Sequence, residues 1–581
     1  MIKVTLFCLI IPIAFILLNI IKSIVDNKDN TSAKNKSILF NILLLIALFT
    51  IKYLFVYLNQ PPRFLLSYIS SNLFYGAITL FLMFLIDKNI NDNNNYTNIL
   101  ILSLCMPLLI LLITVIIGHG NTFFNVKPTY NSIDKTEATY KEAPTFKQGE
   151  TPVAISPKTI ESRLSKVISD VPNSQYFKAA GKDDIEAQFI NGKPSYIIPV
   201  EYQGFFQYLQ SNRTLPGYFI IDATDESATP KFVKCKMKYS NSSYFGRNAE
   251  RQIYRHFPTY ITSSSNPQLQ IGPNGTPYWI ETLYKPEALS YRPNYKKLKV
   301  AVLNAKNGNV KLYSINKLPK FISTGITSDV ADDMNNVYGK DKYGIMNKWF
   351  GHKGMKKPTE NGPENGVTTI FNSNGTISYF ADFTNINNDN NSGVGYSMIN
   401  ARTGKLTYYK VDGMMDSDGA KNNANENYKA QKWHASMPII YNISGRPVWV
   451  MQILDSTNAI RGYYYLDAKN QTIHANASDV SDALAQFNQA LNSSNISASN
   501  TPGIKEKKVN GIIDRFAIIS SSHKVMFTLQ GSPIIYTLNT QDDQDSVLVK
   551  PGDQVSFKAN IINGKSQGNV NNFKDKQLGN N

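Results

Sequence analysis

Four apolar runs at the start of the chain limit what it can fold into more than any other feature. They cover residues 6–21, 38–58, 64–86 and 99–117. Each is close to the ~20 residues a helix needs to cross the hydrocarbon core of a bilayer. Residues 1–118 therefore read as a four-helix transmembrane region. A signal peptide is the competing reading of the first run, with Lys3 as its basic region. No small-residue cleavage site follows, and Ile20, Ile21, Ile24 and Val25 are too bulky for one, so the run is read as a span. Lys52 falls inside the second run and reads as a snorkelling or bundle-facing lysine.

Loop charge orients the bundle. Lys22, Lys28, Lys34 and Lys36 lie between the first two runs, only Arg63 between the second and third, and Lys88 between the third and fourth. Lys and Arg favour the cytoplasmic side. The first and third loops are then inside, and the N-terminus and everything after Ile117 outside, against the opposing charges of Lys3, Lys127 and Lys135. The expected location is a multi-pass protein of the cell membrane with its C-terminal region extracytoplasmic.

Residues 119–155 carry Pro128, Pro144 and Pro152 with no sustained period and read as a juxtamembrane linker. Beyond it two phrases recur. One is an apolar strand, Asn or Asp followed by Ala, a turn, then a second strand: Val300 to Tyr313 with Asn304-Ala305 and Gly308, Ser397 to Tyr409 with Asn400-Ala401 and Gly404, then fainter copies at Asp467-Ala468 and Asp222-Ala223. Asn307-Gly308 predicts a two-residue hairpin turn with φ > 0 at both positions. The other phrase is a Gly turn launching a strand with an early aromatic. It reads Gly192-Lys193-Pro194-Ser195-Tyr196, Gly275-Thr276-Pro277-Tyr278-Trp279 and Gly445-Arg446-Pro447-Val448-Trp449, with a proline-free variant at Gly375-Thr376-Ile377-Ser378-Tyr379. Spaced recurrence of this kind marks repeated supersecondary units. Helical spacing appears at 156–168, 248–256 and 481–491. The stretch 156–491 is thus a β-rich α+β repeat region. Residues 492–508 read as a linker, 509–562 as a small OB-like β-barrel with Pro551-Gly552-Asp553 before its last strand, and 563–581 as a disordered polar tail.

No chemistry stands out. The net charge of +17 suits an anionic partner, namely lipid head groups, a wall polymer or nucleic acid, but a Lys-rich solvated surface is the favoured reading. Three cysteines, two of them in apolar runs, give no disulfide framework or metal set. His119, His256, His352, His434, His474 and His523 show no metal-ligand spacing. Asp416, Asp418 and Gly419 resemble part of a calcium loop, but Met414 stands at its first position and Glu426 is one residue out of register, so a polar loop or helix start is expected. No catalytic, cofactor-binding or metal residue is nominated. The 33 Tyr and 30 Phe are assigned mainly to strand faces and core. An OB-like barrel can bind nucleic acid, but the loop aromatics and clustered Arg that this needs are missing, and an outside location argues further against it.

The hairpin phrase, at Val302-Leu303-Asn304-Ala305 with Gly308, Val310 and Tyr313 and again at Met398-Ile399-Asn400-Ala401 with Gly404, Leu406 and Tyr409, resembles the closing hairpin of PepSY-type domains. The wider layout resembles uncharacterised bacterial membrane proteins with N-terminal spans and a large β-rich region. The resemblance implies tandem PepSY-like α+β modules acting outside the cytoplasmic membrane, where such modules bind or restrain peptidases; here they are strung together with no protease attached. The expectation is a membrane-anchored, non-enzymatic protein in the lipid bilayer whose repeats bind a protein, peptide or cell-wall component at the bacterial surface. The alternative is a component of a transport or secretion assembly in which the four helices do the work.

Overall fold

The computed structural model describes residues 1–26, 31–90, 95–142, 153–262, 266–286, 290–359, 366–386, 392–493, 504–519, 524–540, 544–562 and 567–578. The N-terminal helices are α1 (Ile2–Phe7), α2 (Ile10–Asp26), α3 (Thr31–Asn59), α4 (Leu65–Ile90) and α5 (Asn95–Phe124). Three stretches, Lys34–Asn59, Leu65–Met83 and Cys105–Phe124, are helical, long and apolar enough to cross a membrane. The first apolar run is not one span. It breaks at Cys8 and Leu9 into α1 and the shorter apolar helix Ile10–Val25. Pro12 has no N–H to give the preceding turn, and its ring crowds that turn. Asn72 of α4 closes the gap: its Nδ2 donates to Phe7 O at 2.8 Å and its Oδ1 accepts from Ile11 N at 3.1 Å. Backbone groups freed within a membrane need such partners. Lys52 faces the bundle, with Nζ 4.8 Å from the Tyr75 ring centre and 5.1 Å from that of Phe55.

By compactness the chain divides into two units. One holds Met1–Thr139, Gly149–Ile439 and Val450–Arg461, the other Tyr140–Gln148, Ile440–Trp449 and Gly462–Asn581. Residues 157–477 follow one local plan, used in sequence order. A short helix precedes a four-stranded antiparallel meander. Helix Pro157–Val167 precedes strands Glu186–Ile190, Lys193–Tyr202, Leu215–Asp222 and Lys231–Met237. Helix Ala249–His256 precedes Gln268–Ile271, Pro277–Tyr284, Lys299–Asn304 and Val310–Ser314. Helix Ser328–Lys340 precedes Thr368–Phe371, Ile377–Asn385, Ser392–Asn400 and Leu406–Met415. Helix Ser417–Asn427 precedes His434–Ile443, Arg446–Leu454, Ile460–Asp467 and His474–Ala477, paired in that order. Each helix starts where an oxygen side chain caps it. Ser156, Asn248, Thr327 and Asp416 accept from the backbone N–H of Thr159, Arg251, Val330 and Gly419 respectively. Asp416 is therefore a helix cap, in line with the helix-start reading of the acidic stretch.

The recurring phrases account for one recurring bond. The alanine after each Asx residue donates its N–H to the first or second residue of the meander's second strand: Ala223 to Pro194 O, Ala305 to Pro277 O, Ala401 to Ile377 O and Ala468 to Pro447 O, at 2.9 to 3.1 Å. All four alanines are buried, so only a small side chain fits there. The turn itself differs from expectation. Among its residues only Gly308 has positive φ, at +81°. Asn304 Oδ1 accepts from the N–H of Lys306 and Asn307, and Asn304 O accepts from Gly308 N. The result is a four-residue Asx-capped loop rather than a two-residue turn. Asn400 makes the same bonds to Arg402 and Thr403.

Three expected boundaries move. The linker at 119–155 is partly structured. After α5 comes the helix Val126–Ser132, and Lys135–Thr139 then pairs in parallel with the strand Leu406–Met415, from Lys135↔Leu406 to Thr139↔Lys410. Its mixed acids, bases and Thr conceal an edge strand, because ladder bonds come from the backbone whatever the side chains. The linker at 492–508 ends early, since strand Ile504–Ile519 begins inside it; residues 494–503 lie outside the described set. The tail at 563–581 contains strand Gln567–Asp575. That strand pairs with Gln554–Ile562 and, in parallel, with Ile535–Asn539. With Lys524–Leu529 and Ile504–Ile519, these strands hydrogen-bond in one closed cycle within the second unit. Only Val570 and Phe573 are large apolar residues in Gln567–Asp575, too few to signal a strand, yet Val570 is buried in the local core.

Candidate functional site

The first strands of the meanders converge on a small cavity of about 60 Å³ in the first unit. Glu186 and Ala187, Gln268, Thr368 and Met437 line it, one strand after another, with Tyr196 and Tyr379 from the neighbouring second strands and Pro157 and Ser328 from two helix starts. Met437 holds φ at +50°, a left-handed strand residue at the cavity wall. Conformations like this cost about 1 kcal/mol or more and need support from their surroundings. Tyr379 OH donates to Ile326 O at 3.1 Å, which fixes one wall.

Two carboxyls, Asp183 and Glu186, and one amine, Lys182, line the cavity. Glu186 is 8% exposed. Burial pushes its carboxyl well above the usual carboxylate range, with further push from Asp184 and Asp329. Asp184 is raised too, by burial and then by Glu201 and Asp183. A space of this size holds a water or a single small polar group. No serine–histidine or cysteine–histidine pair faces it. Among the described residues no group of three or more His, Cys, Asp and Glu is placed to hold a metal ion.

The folded-state pKa of Glu186 lies above its unfolded value. The unfolded carboxyl loses its proton first, so the destabilisation is absent at low pH and grows as pH rises from the unfolded value toward the folded one. Glu186→Gln is expected to raise the midpoint of thermal unfolding at pH 7.5, by about 1 kcal/mol in stability, and to leave it unchanged near pH 3. An equal effect at both values would remove the carboxyl from the account.

A second constellation lies where the first unit's meanders meet its helices. Arg63, in the short connection between α3 and α4, is 2% exposed. Its N–H donates to Pro258 O at 2.7 Å, its Nε to Tyr254 OH at 3.2 Å and its Nη1 to Cys8 Sγ at 3.0 Å. Tyr254 OH in turn donates to Pro61 O at 2.9 Å. At the end of α5, His119 stacks on Tyr291 with ring centres 5.1 Å apart, Thr122 Oγ1 lies 3.0 Å from Ser290 Oγ, and Phe123 meets Trp349 at 4.8 Å. A Cβ at Gly118 would come within 2.8 Å of the Tyr291 ring, so this approach requires glycine. The meanders are thus seated against both the α3–α4 connection and the last turns of α5.

The histidines singled out in the sequence are not brought together. His119 stacks on Tyr291, His256 Nδ1 lies 2.8 Å from Gln252 O, His352 ends a helical turn in the left-handed region, His434 opens a strand and His474 stacks on Tyr464. His523 lies outside the described residues. Sequence reasoning missed Glu186 and Glu281, both buried carboxyls on strands. The available signal was a charge at an inward strand position.

No family model matches the chain, and no curated protein matches it. Solved structures show only faint likeness. The polysaccharide lyase Uly1 is 11% identical over 68% of this chain and 81% of its own, with a TM-score of 0.14. An exo-β-1,3-galactanase from Clostridium thermocellum is 10% identical over 69% of this chain and 68% of its own, with a TM-score of 0.17. A levansucrase mutant from B. megaterium is 12% identical over 74% and 98%, with a TM-score of 0.14. At these scores the likenesses carry no argument about fold or activity.

Proposed function

We propose that this chain is a multi-pass membrane protein whose helix-and-meander modules form an extracytoplasmic binding body for a protein or peptide. The observation that carries the reading is the seating of the meanders on the helices through Arg63, Tyr254 and Tyr291. It puts the α3–α4 connection and the end of α5 on the same side as the body. The lysine-rich connection between α2 and α3 then belongs to the opposite side, which loop charge assigns to the cytoplasm.

On this reading the four helix-plus-meander segments are tandem repeats of one module. The likeness of their hairpins to PepSY-type domains supports an extracytoplasmic role. The closed cycle of five C-terminal strands is read as a small OB-like barrel. Burial favours the protonated form of Glu186, which can donate a hydrogen bond to a carbonyl oxygen of a bound protein or peptide. The transport alternative makes the four helices the working part, and the cation–π contacts of Lys52 explain that spanning charge within the bundle.

The test is a photo-crosslinking residue in place of Lys182, at the cavity rim, in intact cells. A discrete protein adduct that is lost with Glu186→Lys is the expected result. Adducts that persist with Glu186→Lys, or no protein adduct at all, would contradict the reading.

A further inference from the structure

Where helix Ala249–His256 reaches the bundle, a recess of about 660 Å³ opens beside the last turns of α3. Its lining is one-sided in charge. Lys3, Arg251 and Arg255 contribute cations, and no acidic residue lines it. The remaining wall includes Tyr53 and Tyr57, from the last two turns of α3, and Phe245. Arg251 lies over the Tyr57 ring, with Cζ 4.6 Å from its centre, and its enclosed Nε makes no hydrogen bond to any described residue. An enclosed guanidinium nitrogen without an acceptor is costly, and a bound anion would satisfy it.

The surroundings point to the kind of anion. Phe245 is 55% exposed and holds φ at +55°, a left-handed backbone that a bulky residue adopts at a cost. Phe205 stands 5.9 Å from Phe245 and 5.8 Å from Phe206, which is 72% exposed. Leu54 of α3 is 50% exposed on the same wall. An exposed aromatic cluster beside the end of an apolar helix suits the interface between head groups and acyl chains. Cations at the same level suit a phosphate.

We propose that this recess binds the phosphate head group of an anionic membrane lipid, with Lys3, Arg251 and Arg255 around the phosphate and the acyl chains running along Leu54, Tyr53 and the Phe205–Phe206–Phe245 cluster. This goes beyond the proposed function, which needs only a bilayer and no particular lipid. A free phosphate would use the cations but leave the aromatic wall without an occupant. The site would also tie the helix that carries Tyr254 to the lipid around α3.

The test uses the full chain in detergent micelles, titrated with dioctanoyl-phosphatidylglycerol, dioctanoyl-phosphatidylcholine and inorganic phosphate, with bound lipid counted by native mass spectrometry. Phosphatidylglycerol should bind roughly tenfold more tightly than phosphatidylcholine, and phosphate should not displace it. Lys3 and Arg255 are exposed, so Lys3→Gln with Arg255→Gln should keep the unfolding temperature and bring the two lipids to within about twofold. Equal binding of the two lipids to the unaltered protein would overturn the proposal. So would a preference that survives the double substitution. Displacement by inorganic phosphate at matched concentration would mark a free-phosphate site and overturn it as well. If the double variant does not fold, the comparison of lipids on the unaltered protein decides.

Discussion

Replacing Glu281 by methionine is expected to stabilise the protein at neutral pH. Glu281 lies in the middle of the strand Pro277–Tyr284, paired with Ala301, and is fully buried. Neither carboxyl oxygen has a hydrogen-bond partner among the described residues. Burial pushes its carboxyl well above the usual range, and Glu250 adds to this. The same place in the other meanders, four residues after the strand's first proline or its equivalent, holds Ile198, Ala381 and Met451, all buried. Packing there calls for an apolar group, so methionine should fit with little rearrangement. Removing an unpaired buried acid is expected to add about 2–4 kcal/mol of stability at pH 7.5. The sign follows from proton linkage. The folded-state pKa is raised, so the unfolded chain sheds its proton first and the native state weakens as pH rises above the ordinary carboxylate value. The gain from Glu281→Met should therefore fade as pH falls toward 3. Thermal unfolding of the full chain at several pH values reads this directly, and a gain that does not depend on pH would point to packing alone.

Arg63→Ala is expected to have the largest effect in the other direction. The side chain is enclosed and donates to Tyr254 OH and Cys8 Sγ. Truncation removes charge-assisted bonds worth about 2–3 kcal/mol together and leaves a void between the helix connection and the helix Ala249–His256. The backbone bond from Arg63 N to Pro258 O would remain. The expected result is a lower unfolding temperature with faster amide exchange around Tyr254, while His256→Gln, at an exposed position on the same helix, leaves both unchanged. Equal behaviour of the two variants would mean that Arg63 does not hold the contact.

Sequence patterning made the outline legible where it involved long apolar runs or strand–turn–strand spacing. The apolar helices and the Asn304 and Asn400 hairpins belong to that class, as does the capped helix after Ser156. What was hidden has physical reasons. The turn after Asn304 depends on a side-chain oxygen replacing a backbone partner, which a dipeptide rule does not see. Helix Ser417–Asn427 is made largely of Asn, Asp, Ser and Gly, and owes its place to the Asp416 cap and to Asp382, which accepts from both Ser417 N and Ser417 Oγ. Strand Gln567–Asp575 is held by its neighbours' backbones. Arg63 was counted only as loop charge, because its side-chain partners lie far away in sequence, Cys8 by 55 residues and Tyr254 by 191. The cavity around Glu186 is assembled from strands of different meanders, and no local window contains it.

On the proposed topology the meanders face the outside of the cell while the α2–α3 connection faces the cytoplasm. The most direct measurement is labelling of intact cells with a membrane-impermeant maleimide, starting from a chain with Cys8, Cys105 and Cys235 replaced by serine. One variant carries Asn212→Cys on the exposed surface of the first meander, the other Lys34→Cys near the start of α3. The account predicts that Asn212→Cys is labelled in intact cells and Lys34→Cys only after the membrane is permeabilised. Labelling of Lys34→Cys in intact cells with protection of Asn212→Cys would contradict it and place the binding body in the cytoplasm.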